Sequence, residues 1–204
     1  MTDPATRLMT ALQQVFDRLP PLPAELAAPG LLLLVLWPAL SVALPTPTEA
    51  FMTAFAIALA MRLALRSRII ILTARARLPH RATAALVLAA GPGLLALLLL
   101  AGDPLICQRF LSLYFLATAA FFLFDHLDGR NLMLNLRFPG PQARSRLLAP
   151  ALVIFYLGLL GANETIIARA GLGEWLLFFG FLPLITHLVI GALLRALPVT
   201  VRVS

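Results

Sequence analysis

Between Leu26 and Leu44 the chain runs for nineteen residues without a charged side chain. A helix of roughly 20 apolar residues is the length that crosses the hydrocarbon core of a bilayer, where a segment has to satisfy its own backbone polar groups. The same kind of run recurs along the 204 residues. Further apolar segments start near Ala50, cover Ala82 to Ala101, and run from Ile106 or Phe110 to Phe124, from Leu147 to Ala162, and from Glu174 or Trp175 to Leu194. With 61% hydrophobic and 12% charged residues, the composition is not that of an ordinary soluble domain. Six such segments consume most of the chain and leave no room for a separate globular unit. The expected fold is all-α: a polytopic integral membrane protein, built as a six-transmembrane-helix bundle with an N-terminal amphipathic interfacial helix. Its expected parts are a cytoplasmic N-terminal segment 1–23, a transmembrane domain 24–196 and a cytoplasmic tail 197–204.

Prolines and glycines punctuate this pattern. Pro38 falls inside the first span and is expected to bend it rather than end it. Pro45-Thr46-Pro47-Thr48-Glu49 forms the next turn, Gly91-Pro92-Gly93 marks a kink in the third span, and Gly102-Asp103-Pro104 closes that span. The polar stretch Asp125 to Arg146, with Phe138-Pro139-Gly140-Pro141 inside it, separates the fourth and fifth spans, and Asn163 to Gly173 separates the fifth and sixth. Ahead of the first span, Leu8, Leu12, Val15, Phe16 and Leu19 recur at helical spacing, with Arg7, Thr10, Gln14 and Asp17 over the other face. That segment reads as a helix lying on the bilayer or packed on the cytoplasmic side of the bundle. Its charges Arg7, Asp17 and Arg18 break any apolar core, which argues against a cleavable signal sequence.

All sixteen basic residues are arginine, and their distribution orients the chain. Arg7 and Arg18 precede the first span, six lie from Arg62 to Arg81, four from Arg130 to Arg146, and Arg195 and Arg202 follow the last span. Only Arg109 and Arg169 fall on the opposite side. The positive-inside rule then puts both termini in the cytoplasm, with Glu49, Asp103, Glu164 and Glu174 near the outer face. The net charge of +7 therefore reflects topology, not a nucleic-acid surface, since no soluble fold presents the arginines to phosphates. The basic stretch Arg66 to Arg81 suits anionic lipid headgroups. A single cysteine, Cys107, excludes an intrachain disulfide and a cysteine-rich metal site.

A few residues carry possible chemistry. Arg62 and Arg66 are four apart and share a helical face. If the second helix starts near Phe51 and continues through Leu72, Arg62 lies near the bilayer midplane, where an arginine costs about 2.5 to 3.5 kcal/mol and needs a carboxylate, carbonyls, water or an anionic ligand. If the helix leaves the membrane near Leu65, both arginines snorkel to headgroups. His187, within the last span, suits a proton relay, a quinone contact or an interhelical hydrogen bond. Two-histidine haem ligation would need a second intramembrane histidine, whereas His80 and His126 fall in expected loops. Asp125-His126-Leu127-Asp128-Gly129-Arg130-Asn131 offers carboxylates for Mg²⁺ beside a lipid phosphate, or simply a capped helix end with a local Asp128 to Arg130 pair. No catalytic serine with a base beside it, phosphate loop or metal-ligand spacing is present, so no catalytic residue, metal or cofactor is assigned.

From the third span onward the chain resembles the intracellular septation protein A family of bacterial inner-membrane proteins. The residues carrying the resemblance are Leu78-Pro79, Asp103-Pro104-Leu105-Ile106, Phe155-Tyr156 followed by Asn163-Glu164, and the last-span pattern Trp175, Phe178, Pro183 and Thr186, with Phe181 between them. Phe179 stands where that family has a lysine, and Arg62 and Arg66 are foreign to its second span, as in a divergent member or paralogue. The resemblance implies a role in septation or cell-envelope maintenance through membrane partners, with no catalytic residues to carry over. Asn163 and Glu164 would then be outer-face motif residues, or else a helix C-cap followed by a solvated acid. The expected function is that of a non-enzymatic membrane protein binding other inner-membrane proteins, a membrane complex or lipid. The alternatives are an accessory or assembly subunit of a larger bioenergetic membrane complex, and a small transporter or lipid-modifying enzyme using Arg62, Arg66 and His187.

Overall fold

The structure, a computed structural model, describes residues 24–77, 93, 96, 100–129, 134 and 147–196, with the side chains of 66–77 outside that description. Among the described residues there is no strand and there are five long helices: α1 (Ala24–Ala43), α2 (Pro47–Arg77), α3 (Pro104–Asp128), α4 (Leu148–Arg169) and α5 (Leu172–Ala196). Each contains a segment long and apolar enough to cross a membrane. The expected interfacial helix at 1–23, the tail 197–204 and most of the expected third span lie outside the described residues. Of that third span, Gly93, Ala96, Leu100 and Ala101 are described, and all four are helical.

The helices start and stop for local reasons. Pro38 sits inside α1, which continues past it to Ala43. At α2, Thr46 Oγ1 accepts from the Glu49 backbone N–H at 3.2 Å, half of a Thr-x-x-Glu capping box, and Pro47 occupies the first helical position, where no N–H is needed. The helix therefore begins three residues before the expected start near Ala50. Asp103 caps α3 by accepting from Leu105 N–H at 2.8 Å, again with a proline following, and Gly129 ends it at φ 69°, a conformation that favours glycine.

Three expected boundaries are corrected. The helix α3 runs through Asp125, His126 and Asp128, which were expected in a loop. Asp125 is only 6% exposed, and its carboxylate accepts the backbone N–H of buried Leu134 at 2.9 Å, so burying this acid in the last turn ties down the chain that follows. The helix α4 does not stop at Ala162 but continues to Arg169, which places Asn163 and Glu164 inside it and leaves only Ala170 and Gly171 before α5. The C-cap reading of Asn163 is therefore wrong, because its amide bonds to other helices and so has no need of a chain terminus.

Side-chain pairings fix the directions of the helices. Phe51 lies against Trp175 and Phe55 against Phe179, so α2 and α5 run the same way. Gln108 and Ser112 meet Asn163, whereas Phe115 and Phe122 meet Tyr156, so α3 and α4 are antiparallel. Trp175 folds back on Asn163 across the short α4–α5 connection. The most extensive packing joins α3 to α4, and α1 packs on both α5 and α2.

Between lipid-embedded helices the apolar effect is largely absent, so close packing and interhelical hydrogen bonds have to hold them together. Glycine provides the first at the α1–α5 crossing. A Cβ on Gly180 would come within 2.9 Å of the Gly30 Cα, because the two backbones approach closely there, and one on Gly173 would run into the Trp37 indole. Neither glycine can be replaced without movement.

Candidate functional site

Polar side chains inside the bundle gather at two places. The first lies where α3, α4 and α5 meet. Asn163 is completely buried, with its Nδ2 donating to the Gln108 carbonyl at 3.1 Å and to Ser112 Oγ at 2.8 Å. Its Oδ1 accepts from Trp175 Nε1 at 2.8 Å. An indole N–H can only donate, so the tryptophan fixes which way the amide points. Because the Ser112 oxygen receives the Asn163 proton, its own hydroxyl is directed to Glu164 Oε1, at 2.5 Å. Glu164 also receives Arg109 in an ion pair. Trp175 and Asn163, then Asn163 and Ser112, thus pass donors toward one terminal acceptor, the Glu164 carboxylate, which Arg109 neutralises from the opposite side. The inner members Gln108, Ser112 and Asn163 are buried, whereas the side chains of Arg109 and Glu164 are 57% and 36% exposed.

An i,i+4 pair of aromatics on each of two helices connects this network to the second place. Phe51 stacks on Phe55 along α2, with ring centroids 6.1 Å apart, and Trp175 stacks on Phe179 along α5 at 5.4 Å. The two pairs interlock, with Phe55 and Phe179 at 5.0 Å. Offset and tilted aromatic contacts of this kind add about 0.5 to 1.5 kcal/mol each beyond simple burial. At the far end of the column the Arg62 guanidinium lies over the Phe179 ring, 4.1 Å from its centroid, while Nη2 donates to the Phe179 carbonyl at 2.6 Å.

Long helical side chains lean toward the N-terminus of their own helix. In α2 that direction leads toward Phe51, and Arg62 reaches the eighth residue of α5 in this way. Arg66 also lies on α2, and its side chain is outside the described residues.

The other expected residues are distributed differently. His187 is half-buried on α5, and its Nε2 is enclosed without a hydrogen-bond partner among the described residues. Trp175 is wholly buried at the junction of the two sites, while Phe178, Pro183 and Thr186 are half-buried along the same helix. His126 belongs to the last turn of α3, not to a loop, and His80 lies outside the described residues. Among the described residues no group of three or more His, Cys, Asp or Glu side chains is arranged to hold a metal ion.

Gln108, Arg109 and Ser112 were not singled out from the sequence, although a signal was there. Gln108 and Ser112 are polar residues four apart in an apolar run, which is the pattern of a helix face bonding to a neighbour. No protein-family model, no curated protein and no solved structure matches the chain. The reading of both places accordingly rests on their own geometry.

Proposed function

We propose that this chain is a non-catalytic multi-pass protein of the bacterial inner membrane, similar to the intracellular septation protein A family, that acts by binding other membrane proteins or lipid. The observation carrying this reading is how the buried polar side chains are used. Asn163 bonds Ser112 and the backbone carbonyl of Gln108, Asp125 bonds a backbone N–H, and Arg62 bonds a backbone carbonyl. Such groups hold helices together. What the bundle turns outward is apolar: Leu113, Leu116 and Phe124 on α3 and Ile154 on α4 are all exposed, surfaces suited to lipid tails or to the helices of a partner.

The topology that goes with this reading has six crossings and both termini in the cytoplasm. Helices α2 and α3 run in the same direction, so the chain has to return across the bundle between Arg77 and Pro104, which supports a sixth crossing there. Arg109 and Arg169 lie at the Asn163 end together with Glu49, Asp103 and Glu174, whereas Arg195 lies at the other. Arg66, Arg68, Arg75 and Arg77 fall in the last turns of α2, and Arg130 follows the end of α3 in sequence, both being the ends that point the same way as Arg195, as the positive-inside rule requires of one cytoplasmic face.

The test is purification of the tagged protein from its own membranes in mild detergent, with sizing and mass spectrometry of what accompanies it. A stoichiometric membrane-protein partner or a tightly retained lipid is the expected result, and components of a respiratory or photosynthetic complex would specify the accessory-subunit alternative. A second reading, a small transporter or lipid-modifying enzyme, draws on the enclosed His187 Nε2. It predicts a lone protein with a retained small molecule that is lost in His187→Ala.

A further inference from the structure

Pro183 lies inside α5, which is assigned as one continuous helix. In an α-helix the N–H of residue 183 would bond to the carbonyl of residue 179, and proline has no N–H to give. The carbonyl deprived of its α-helical donor is that of Phe179, the same carbonyl to which Arg62 Nη2 donates at 2.6 Å. A proline break also gives the preceding half-helix a C-terminal end with a partial negative charge, and a cation at such an end is stabilising. Arg62 meets that requirement from a different helix and, in doing so, covers the Phe179 ring at 4.1 Å.

We propose that Arg62 is the cap, supplied in trans by α2, of the carbonyl that Pro183 leaves without a donor in α5. Its guanidinium stands in for the N–H that Pro183 withholds. The bond accounts for several features together. It explains why an arginine is tolerated inside the bundle, why it reaches away from the Arg77 end of its helix, and why it meets a backbone oxygen of α5.

The test is a double-substitution comparison of detergent-solubilised full-length protein. Arg62→Met keeps the length of the side chain and removes its donors; Pro183→Ala restores the missing N–H. In the Pro183 protein, Arg62→Met lowers Tm by about 5 °C, the effect of losing a charge-assisted hydrogen bond in a chain of this size. In the Pro183→Ala protein the same substitution lowers it by no more than about 1 °C. An equal loss in both backgrounds overturns the proposal, because Arg62 would then act through its other contacts and not through the carbonyl. Should Arg62→Met fail to accumulate, recovery of accumulation by Pro183→Ala is the expected result and failure to recover overturns it.

Discussion

The two polar places in this bundle solve the same problem in opposite ways. At Asn163, three helices exchange hydrogen bonds among the neutral side chains of Asn163, Ser112 and Trp175 and the backbone carbonyl of Gln108. At Arg62, a full charge is brought inward and meets a backbone carbonyl and an aromatic face. A neutral network loses little on desolvation when every group is paired, so it is suited to permanent fastening. A charge brought inward is expensive to place, so it needs a partner that compensates its desolvation. Trp175 and Phe179 lie one helical turn apart on α5 and belong to the two places respectively, so both kinds of contact share one helix.

The sharpest way to break this contrast is Asn163→Leu. It leaves Trp175 Nε1 and Ser112 without their Asn163 partner in a buried site, and the expected loss is about 3 kcal/mol, a fall in Tm of roughly 6 to 12 °C. Thermal unfolding in detergent measures it. A loss below about 1 kcal/mol would mean that the network does not fasten α3, α4 and α5 together.

Next in size is Gly180→Ala, which probes the packing that lets α5 lie against α1. The added Cβ meets Gly30 Cα at 2.9 Å, backbone that cannot rotate away, so the helices have to separate at an expected cost of about 2 kcal/mol. Gly30→Ala is the control. Its Cβ meets the Phe181 ring at 2.7 Å, and a half-buried ring on α5 can turn, so the expected cost is below about 1 kcal/mol. Equal losses would show that the crossing is set by side chains and not by backbone approach.

How far this was legible in the sequence follows from what each element depends on. The apolar runs of α1, α3, α4 and α5 announce themselves because hydrocarbon thickness sets a length that any reader can count. Their ends were misjudged wherever a polar residue was taken as a sign of water. Asp125, Asn163 and Glu164 all lie within helices, and what keeps each there is a partner on another element: Leu134 N–H, the α3 and α5 side chains, or Arg109. Pairings between helices depend on register and rotation, which no single apolar run encodes. The Arg62 partner was closer to the surface of the sequence. Pro183 in a span announces an orphaned carbonyl four residues earlier, and only the identity of its donor had to come from the fold.

Trp175→Phe separates the two functions of the residue that joins both places. The aromatic stack on Phe179 persists, while the N–H to Asn163 Oδ1 is lost, and the expected cost is about 1 kcal/mol. The informative comparison is with Trp175→Leu, which removes the ring as well and costs a further 1 kcal/mol or so from the aromatic contacts. If Trp175→Phe is the costlier of the two, the indole has been assigned to the wrong role.

The smallest expected effect concerns the rim of the Asn163 network, and it tests whether the network is neutral at heart. Glu164→Gln keeps an oxygen to accept the Ser112 hydroxyl but removes the charge facing Arg109. Both partners of that ion pair are substantially exposed, so the Coulombic gain is screened and the expected loss is about 0.5 kcal/mol. At about 1 M salt, where screening acts over roughly 3 Å, wild type and Glu164→Gln should unfold at the same temperature. Asn163→Leu should keep its full penalty in the same buffer, since hydrogen bonds between neutral buried groups have no long-range field to screen. A salt-insensitive Glu164→Gln penalty as large as that of Asn163→Leu would move the charge from the rim to the interior. The fastening contact would then depend on a buried ion pair, and its distinction from the charged Arg62 contact would disappear.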